Sequence, residues 1–224
     1  LAEALSALVI HQLAAPGSPI VLCGAHGVMD MRTSINAYAA PERLKTEAVL
    51  ASVYQHFGIP TWGFGGCTDS ITLDEQAGME FGLLTLWASL TGVNLAHDTG
   101  YLASGMAGDL RAVLWNDEII DYTRNILLAG VKADRPRSAV ETIRRVGPGG
   151  QFLGDDHTLK YFRSDMWEPR FLNRRNIAGW KAEGKQGLTT RLSQEIEKIL
   201  GNEELREKTS LPRDLDDELK THLE

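Results

Sequence analysis

One unit recurs three times along this chain and limits its fold more than any other feature. A short apolar run ends in glycine and polar residues, and a helical pattern follows. Ile20-Val21-Leu22-Cys23 reads as a fully buried strand that enters Gly24 and a polar stretch. Pro41-Glu42 then opens a helix with Leu44, Ala48, Ala51, Val53 and Tyr54 on its apolar face, stopped at Gly58. Pro60-Thr61-Trp62-Gly63-Phe64 leads through Gly65-Gly66-Cys67-Thr68-Asp69-Ser70 to a helix from Asp74-Glu75 to about Leu90. Val93-Asn94-Leu95-Ala96-His97 leads through Asp98-Thr99-Gly100 to a helix over residues 114–128. Strand, loop and helix repeating at about 35 to 40 residues predict parallel strands joined by helical crossovers, an α/β fold. Three such units do not close a barrel, which takes roughly 200 to 250 residues. The period is shared by a small open sheet and by part of a (β/α)8 TIM barrel.

The flanking regions differ in texture. Residues 1–15 are rich in Ala and Leu and read as a buried helix, stopped by Pro16-Gly17-Ser18-Pro19. The chain starts at Leu1 without a charged leader segment, which reads as the C-terminal portion of a longer protein. Beyond Gly130 the charge density rises. Gly147-Pro148-Gly149-Gly150 makes a hinge-like break, residues 188–200 form an amphipathic helix, and residues 214–224 form a short charged one. The expected organisation is a β/α barrel portion over 1–130 and a helical C-terminal extension over 131–224 packed against it.

Composition narrows the function. With 23 basic and 30 acidic residues the formal charge is −7, the wrong sign for nucleic acid as a main partner. No apolar run reaches the roughly 18 residues of a membrane span. The cysteines, Cys23 and Cys67, are too few for a disulfide framework and suit a reducing, cytoplasmic compartment. Nothing in this charge opposes a homo-oligomer.

Parallel α/β folds place their chemistry at the C-terminal ends of the strands. Those ends carry Cys23, His26, Asp30 and Arg32 in the first loop, Gly65 to Asp69 in the second, and His97 to Tyr101 in the third. Cys23, His26, Cys67 and His97 are zinc-ligand types without zinc-finger spacing, so buried cysteines and hydrogen-bonded histidines account for them more simply. No metal is therefore expected. Asp69, His97 and Asp98 stand where a general base or charge-stabilising group belongs, although Asp also serves to bond loop backbone. Trp62, Phe64, Tyr101, Trp115 and Tyr38 offer ring faces to a quaternary ammonium group, or pack a core. Alternation places Trp62 and Phe64 on one side of their strand. The Gly65-Gly66 loop lacks a P-loop lysine, and phosphate binding carries little weight.

Five separated blocks point further. They are Met29-Asp30-Met31-Arg32-Thr33; Gly66-Cys67-Thr68-Asp69-Ser70 with Asp74-Glu75-Gln76-Ala77; His97-Asp98-Thr99-Gly100-Tyr101-Leu102; Asp117-Glu118-Ile119-Ile120; and Val146-Gly147-Pro148-Gly149-Gly150-Gln151-Phe152-Leu153 with His157-Thr158-Leu159. In this order, over most of residues 16–180, the chain resembles the trimethylamine methyltransferase family. The resemblance implies a (β/α)8 barrel that transfers a methyl group from a methylated amine to the Co(I) of a separate corrinoid protein. The corrinoid belongs to that partner, and no cofactor is implied on this chain. Family members that act on trimethylamine carry pyrrolysine near the position of Gly65 to Thr68, where only standard residues stand here. Gly66 leaves space there without an electrophilic imine, which favours a quaternary amine of the glycine betaine type. In this reading Asp69, His97 and Asp98 are the catalytic candidates. Trp62, Phe64 and Tyr101, with the carboxylates of Asp69 and Asp98, are the candidates to hold the cation beside Gly66, and Arg32, His26 or His97 to clamp a substrate carboxylate. Two other readings compete: a metal-dependent barrel hydrolase or lyase using His26, His97 and Asp98, and a non-catalytic barrel fragment.

Overall fold

The computed structural model describes residues 1–23, 26–130 and 138–205. The chain forms two compact units, Leu1–Leu172 and Asn173–Glu224. The first holds α1 (Ala2–Ala14), β1 (Leu22–Cys23), β2 (Met29–Asp30), β3 (Ile35–Asn36), α2 (Pro41–His56), β4 (Thr61–Phe64) and α3 (Glu75–Leu90). It continues with β5 (Leu95–His97), β6 (Tyr101–Leu102), a short 3-10 turn, β7 (Ala107–Gly108), α4 (Leu110–Leu128), α5 (Val140–Val146) and α6 (Asp156–Asp165).

The three expected strand–loop–helix units form a mixed α/β arrangement around one parallel sheet of order β1-β4-β5. Leu22 pairs with Thr61, Trp62 with Leu95 and Phe64 with His97. Each crossover helix begins for a local reason. Pro41 sits in the first turn of α2, where its missing N–H costs nothing, with Glu42 at the positive end of the dipole. The Asp74 carboxylate accepts from Ala77 N at 3.0 Å and caps α3. Asp109 does the same for α4 through Arg111 N at 2.8 Å, so α4 starts at Leu110, earlier than the residue 114 expected from its apolar pattern.

The core lies between α3 and α4. Ala77, Phe81, Leu102 and Ala112 are buried together, with Leu73, Trp115 and Ile119 packed against them. Burying a ring such as Phe81 contributes roughly 1.5 to 3 kcal/mol. Trp115 meets Phe81 edge-on at 5.9 Å, and its indole lies where a Cβ on Gly78 would stand, so the helices approach closely there. Trp115 is thus a core residue, not part of a cation box.

Two expectations of burial fail. α1 has no buried residue, and Leu13 is 79% exposed. Its apolar residues are spread around the helix, and none of the described elements buries them. β1 is not buried throughout: Leu22 is, while Val21 and Cys23 are exposed, the strand being at the edge of the sheet among the described residues.

Further along, the Glu118 carboxylate accepts from Phe171 N at 2.7 Å and Leu172 N at 3.0 Å. Trp167 Nε1 donates to Asp121, and Arg170 pairs with Asp117, so the segment 167–172 lies along α4. Asp155 caps α6 and also holds Arg145 of α5, clamping the Gly147-Pro148-Gly149-Gly150 break from both sides. The second unit contains α7 (Ile177–Ala182), capped by Asn176, and the expected amphipathic α8 (Leu188–Leu200). The charged helix expected over 214–224 lies outside the described residues. No described helix is long and apolar enough to cross a membrane.

Candidate functional site

The C-terminal ends of β4 and β5 place three rings together. Trp62 and Phe64 project from the same side of β4, as alternation requires, and both meet His97 of β5. The Trp62 and His97 ring centroids are 5.2 Å apart, edge to face, and the Phe64 and His97 centroids 4.4 Å. His97 Nδ1 lies 2.7 Å from Asp98 Oδ1. When Nδ1 carries the proton toward that carboxylate, the neutral ring keeps Nε2 as an acceptor, and the charged ring offers Nε2–H to an anion. Asp98 holds this position with a positive φ of 66°. Trp62 is 44% exposed.

The loops behind these rings are bonded to one another. Gly65 N donates to His97 O at 3.0 Å, Gly100 N to Gly66 O at 3.0 Å, and Thr68 N to Tyr101 O at 3.1 Å. Asp69 joins the first loop to the second, its carboxylate accepting from Tyr38 N at 2.7 Å and Ala39 N at 2.9 Å. A third bond, from Ser104 Oγ at 2.7 Å, ties in the turn after β6. All three strand-end loops therefore share one side of the sheet.

Several groups at the site did not emerge from the sequence. Arg43 and Glu47, one turn apart on α2, are buried and paired at 3.3 Å. The Arg43 guanidinium carbon lies 3.7 Å from the centroid of Phe64, and its Nη1 donates to Tyr38 O. Burial raises the Glu47 carboxyl above its ordinary value, opposed by Arg43, by the Phe64 N–H and by the charges of His26 and His97. Glu80 is buried under the second loop, where it accepts from Thr68 Oγ1 and from Asp69 N. The available signal was phase: Arg43 and Glu47 share the helical stripe of Ala51 and Tyr54.

Burial pushes the Cys67 thiol up to about 12, with Asp98 and Asp69 adding to the rise against the pull of Arg43. That thiol is a poor source of a thiolate ligand. No group of three or more metal-ligating side chains converges among the described residues. Burial, then Asp98 and Cys67, raise the Tyr38 hydroxyl.

Of the residues expected at the site, Trp62, Phe64, His97 and Asp98 are in mutual contact or adjacent, and Asp69 braces the loops around them. Gly66 and Tyr101 bond through their backbone carbonyls, and the Tyr101 ring is exposed. His26 is half-buried and near enough to Glu47 to influence its ionisation. Arg32 stands apart: its fork binds Asp30 at the exposed tip of the β2–β3 hairpin, and holds that carboxyl at about 2. Gly66 has φ of +74°, and the buried Asn116 Oδ1 occupies the place of any Cβ it would carry.

The chain as a whole is similar to known proteins. The family model described as trimethylamine methyltransferase (MTTB) matches residues 1–224. The chain is 30% identical over 200 residues to trimethylamine methyltransferase MttB of Desulfitobacterium hafniense, covering 89% of this chain and 40% of that protein. It is 32% identical over 197 residues to a glycine betaine methyltransferase of the same species, covering 86% and 41%. Against MttB of Methanosarcina barkeri it is 28% identical over 204 residues, covering 91% and 41%. The chain spans about two fifths of the length of these curated relatives. With its whole length inside the family match, this chain belongs to the trimethylamine methyltransferase family.

Proposed function

We propose that the full-length protein is a corrinoid-dependent methyltransferase. It moves a methyl group from a quaternary or tertiary methylamine of the glycine betaine type to the Co(I) of a corrinoid protein in the cytoplasm. In this reading β1, β4 and β5 are three neighbouring strands of a (β/α)8 barrel. The methylated amine and the corrinoid protein are its partners.

The observation that carries the reading is the half-exposed Trp62 ring set beside the His97–Asp98 pair. A ring face attracts an onium group through its quadrupole, by roughly 0.5 to 2 kcal/mol according to desolvation. A carboxylate adds a fixed counter-charge. Among the described residues Arg43 is paired with Glu47, and the carboxylates of Asp69 and Asp98 stand in the loops around the rings, a balance that favours a cation. The described residues leave Trp62 and Tyr101 open to a prosthetic group carried by another protein.

The corrinoid supplies the nucleophile that takes the methyl carbon. This chain holds and aims the substrate. When the C–N bond of a quaternary amine breaks, its electron pair stays on nitrogen and a neutral tertiary amine departs, so no acid is needed. Trp62 and Asp98 hold the cation. In its charged form His97, oriented by Asp98, offers Nε2–H to the anionic end of a betaine. The relatives include methyltransferases for both trimethylamine and glycine betaine, and it is the standard residues at 65–68 that favour the betaine class over trimethylamine.

The test is methyl transfer by the full-length protein mixed with its Co(I) corrinoid protein. Glycine betaine, carnitine, proline betaine and trimethylamine are offered in turn. A methyl-cobalt spectrum with a betaine is the expected result, and no such spectrum with any of the four rejects the function.

A further inference from the structure

We propose that Arg43 is a specificity-determining residue: by occupying one face of Phe64 it disfavours simple monocations and favours an onium ligand that carries its own negative group. This inference rests on the reading that the site receives an onium.

Arg43 is fixed in place. Its side chain is 2% exposed. One nitrogen donates to Tyr38 O at 2.5 Å, another lies 3.3 Å from Glu47 Oε2, and the guanidinium plane covers Phe64 at 3.7 Å and approaches Tyr38 at 5.7 Å. The Phe64 ring is otherwise engaged by Tyr38 at 5.4 Å and His97 at 4.4 Å. A ring attracts cations over its faces, not its edges. One face of Phe64 already holds a resident cation, and the accessible cation receptor is Trp62 with Asp98. Glu47 balances Arg43 in charge, but it is the guanidinium and not the carboxylate that lies over the Phe64 ring. A tetraalkylammonium ion on Trp62 meets the repulsive field of Arg43. A betaine placed there sets its carboxylate in the same field with the opposite sign. The two ligands share the onium group, and His97 is the same in every variant, so the change in their difference when Arg43 is altered reports what Arg43 does to the carboxylate.

Calorimetric binding to the full-length protein, with glycine betaine and tetramethylammonium as probes, tests this. Removing Arg43 alone would strand a buried Glu47, so the neutral pair R43M/E47Q is the variant of choice. The preference for glycine betaine over tetramethylammonium is expected to fall about tenfold in R43M/E47Q, a change of the size expected for one desolvated cation contact. R43K, which keeps the charge, is expected to retain most of the wild-type preference. F64L needs no change at Arg43. Because the covered face is not offered to ligand, F64L is expected to weaken tetramethylammonium binding by no more than about twofold. A preference that stays constant in folded R43M/E47Q overturns the inference, as does a loss of about tenfold in F64L. If wild type binds neither probe, the onium reading itself fails, and Arg43 is not the cause.

Discussion

His97 Nδ1 and Asp98 Oδ1 lie 2.7 Å apart on consecutive residues, a contact made possible because the backbone at Asp98 turns into the left-handed region. A non-glycine residue there costs of order 1 to 3 kcal/mol unless its surroundings enforce it. The carboxylate and the strain thus occur together, at the end of β5. Asn tolerates this conformation well, so Asp98→Asn is expected to keep the fold. It is expected to weaken glycine betaine binding about tenfold, in line with the loss of a charged hydrogen-bond partner. Trp62→Ala is expected to weaken it by a comparable factor through the lost ring face. Calorimetry on the full-length variants checks both, and unchanged affinity in both removes the cation-box assignment.

Glu80 sits beneath the second loop and accepts from Thr68 Oγ1, from Asp69 N and from Gln76 Nε2. Glu80→Ala leaves buried donors unpaired and is expected to cost about 2 to 3 kcal/mol. Glu80→Gln keeps the shape and part of the bonding, and should cost less. Denaturant unfolding of the full-length protein gives both values. A neutral Glu80→Ala would mean that the loop is held by other contacts.

Gly66 combines φ of +74° with Asn116 Oδ1 in the place of a Cβ. Gly66→Ala is expected to destabilise the protein by at least about 1 to 2 kcal/mol from the backbone conformation alone. Adding Asn116→Ala should recover only the steric part. Thermal melts of the single and double variants separate the two contributions. A Gly66→Ala protein as stable as wild type contradicts the backbone geometry.

The Cys67 thiol is expected to be inert in the folded protein. Its ordinary value of 9.0 is raised by burial to about 12, so between these limits the unfolded chain loses a proton that the folded chain keeps. The unfolded state then binds fewer protons, and stability falls as pH rises from about 9 toward 12. Cys67→Ala should flatten this slope. Peptide mapping after alkylation at neutral pH should find Cys23, which is exposed, modified well before Cys67.

The parallel sheet was legible because its signals are local and strong. Pro41, Asp74 and the apolar run before Gly65 mark boundaries that the structure reproduces within a residue or two. The hairpins β2–β3 and β6–β7 were not, since two-residue strands are too short to show alternation. The burial of three glutamates, Glu47, Glu80 and Glu118, was not legible either. Each is buried because backbone N–H groups of another segment need an acceptor, and that need is created by the fold and not by neighbouring sequence. At the site, the rings on β4 and β5 could be grouped from strand alternation and loop position. The Arg43 guanidinium on Phe64 could not, because a charged residue one turn into a helix ordinarily points to solvent.

Asp69 accepts from three backbone or hydroxyl donors that lie about 30 residues or more away along the chain. Segments joined through one carboxylate are mechanically coupled. A loop that moves alone must break its bond to this carboxylate, at roughly 1.5 to 3 kcal/mol, so the rim of the site resists opening one segment at a time.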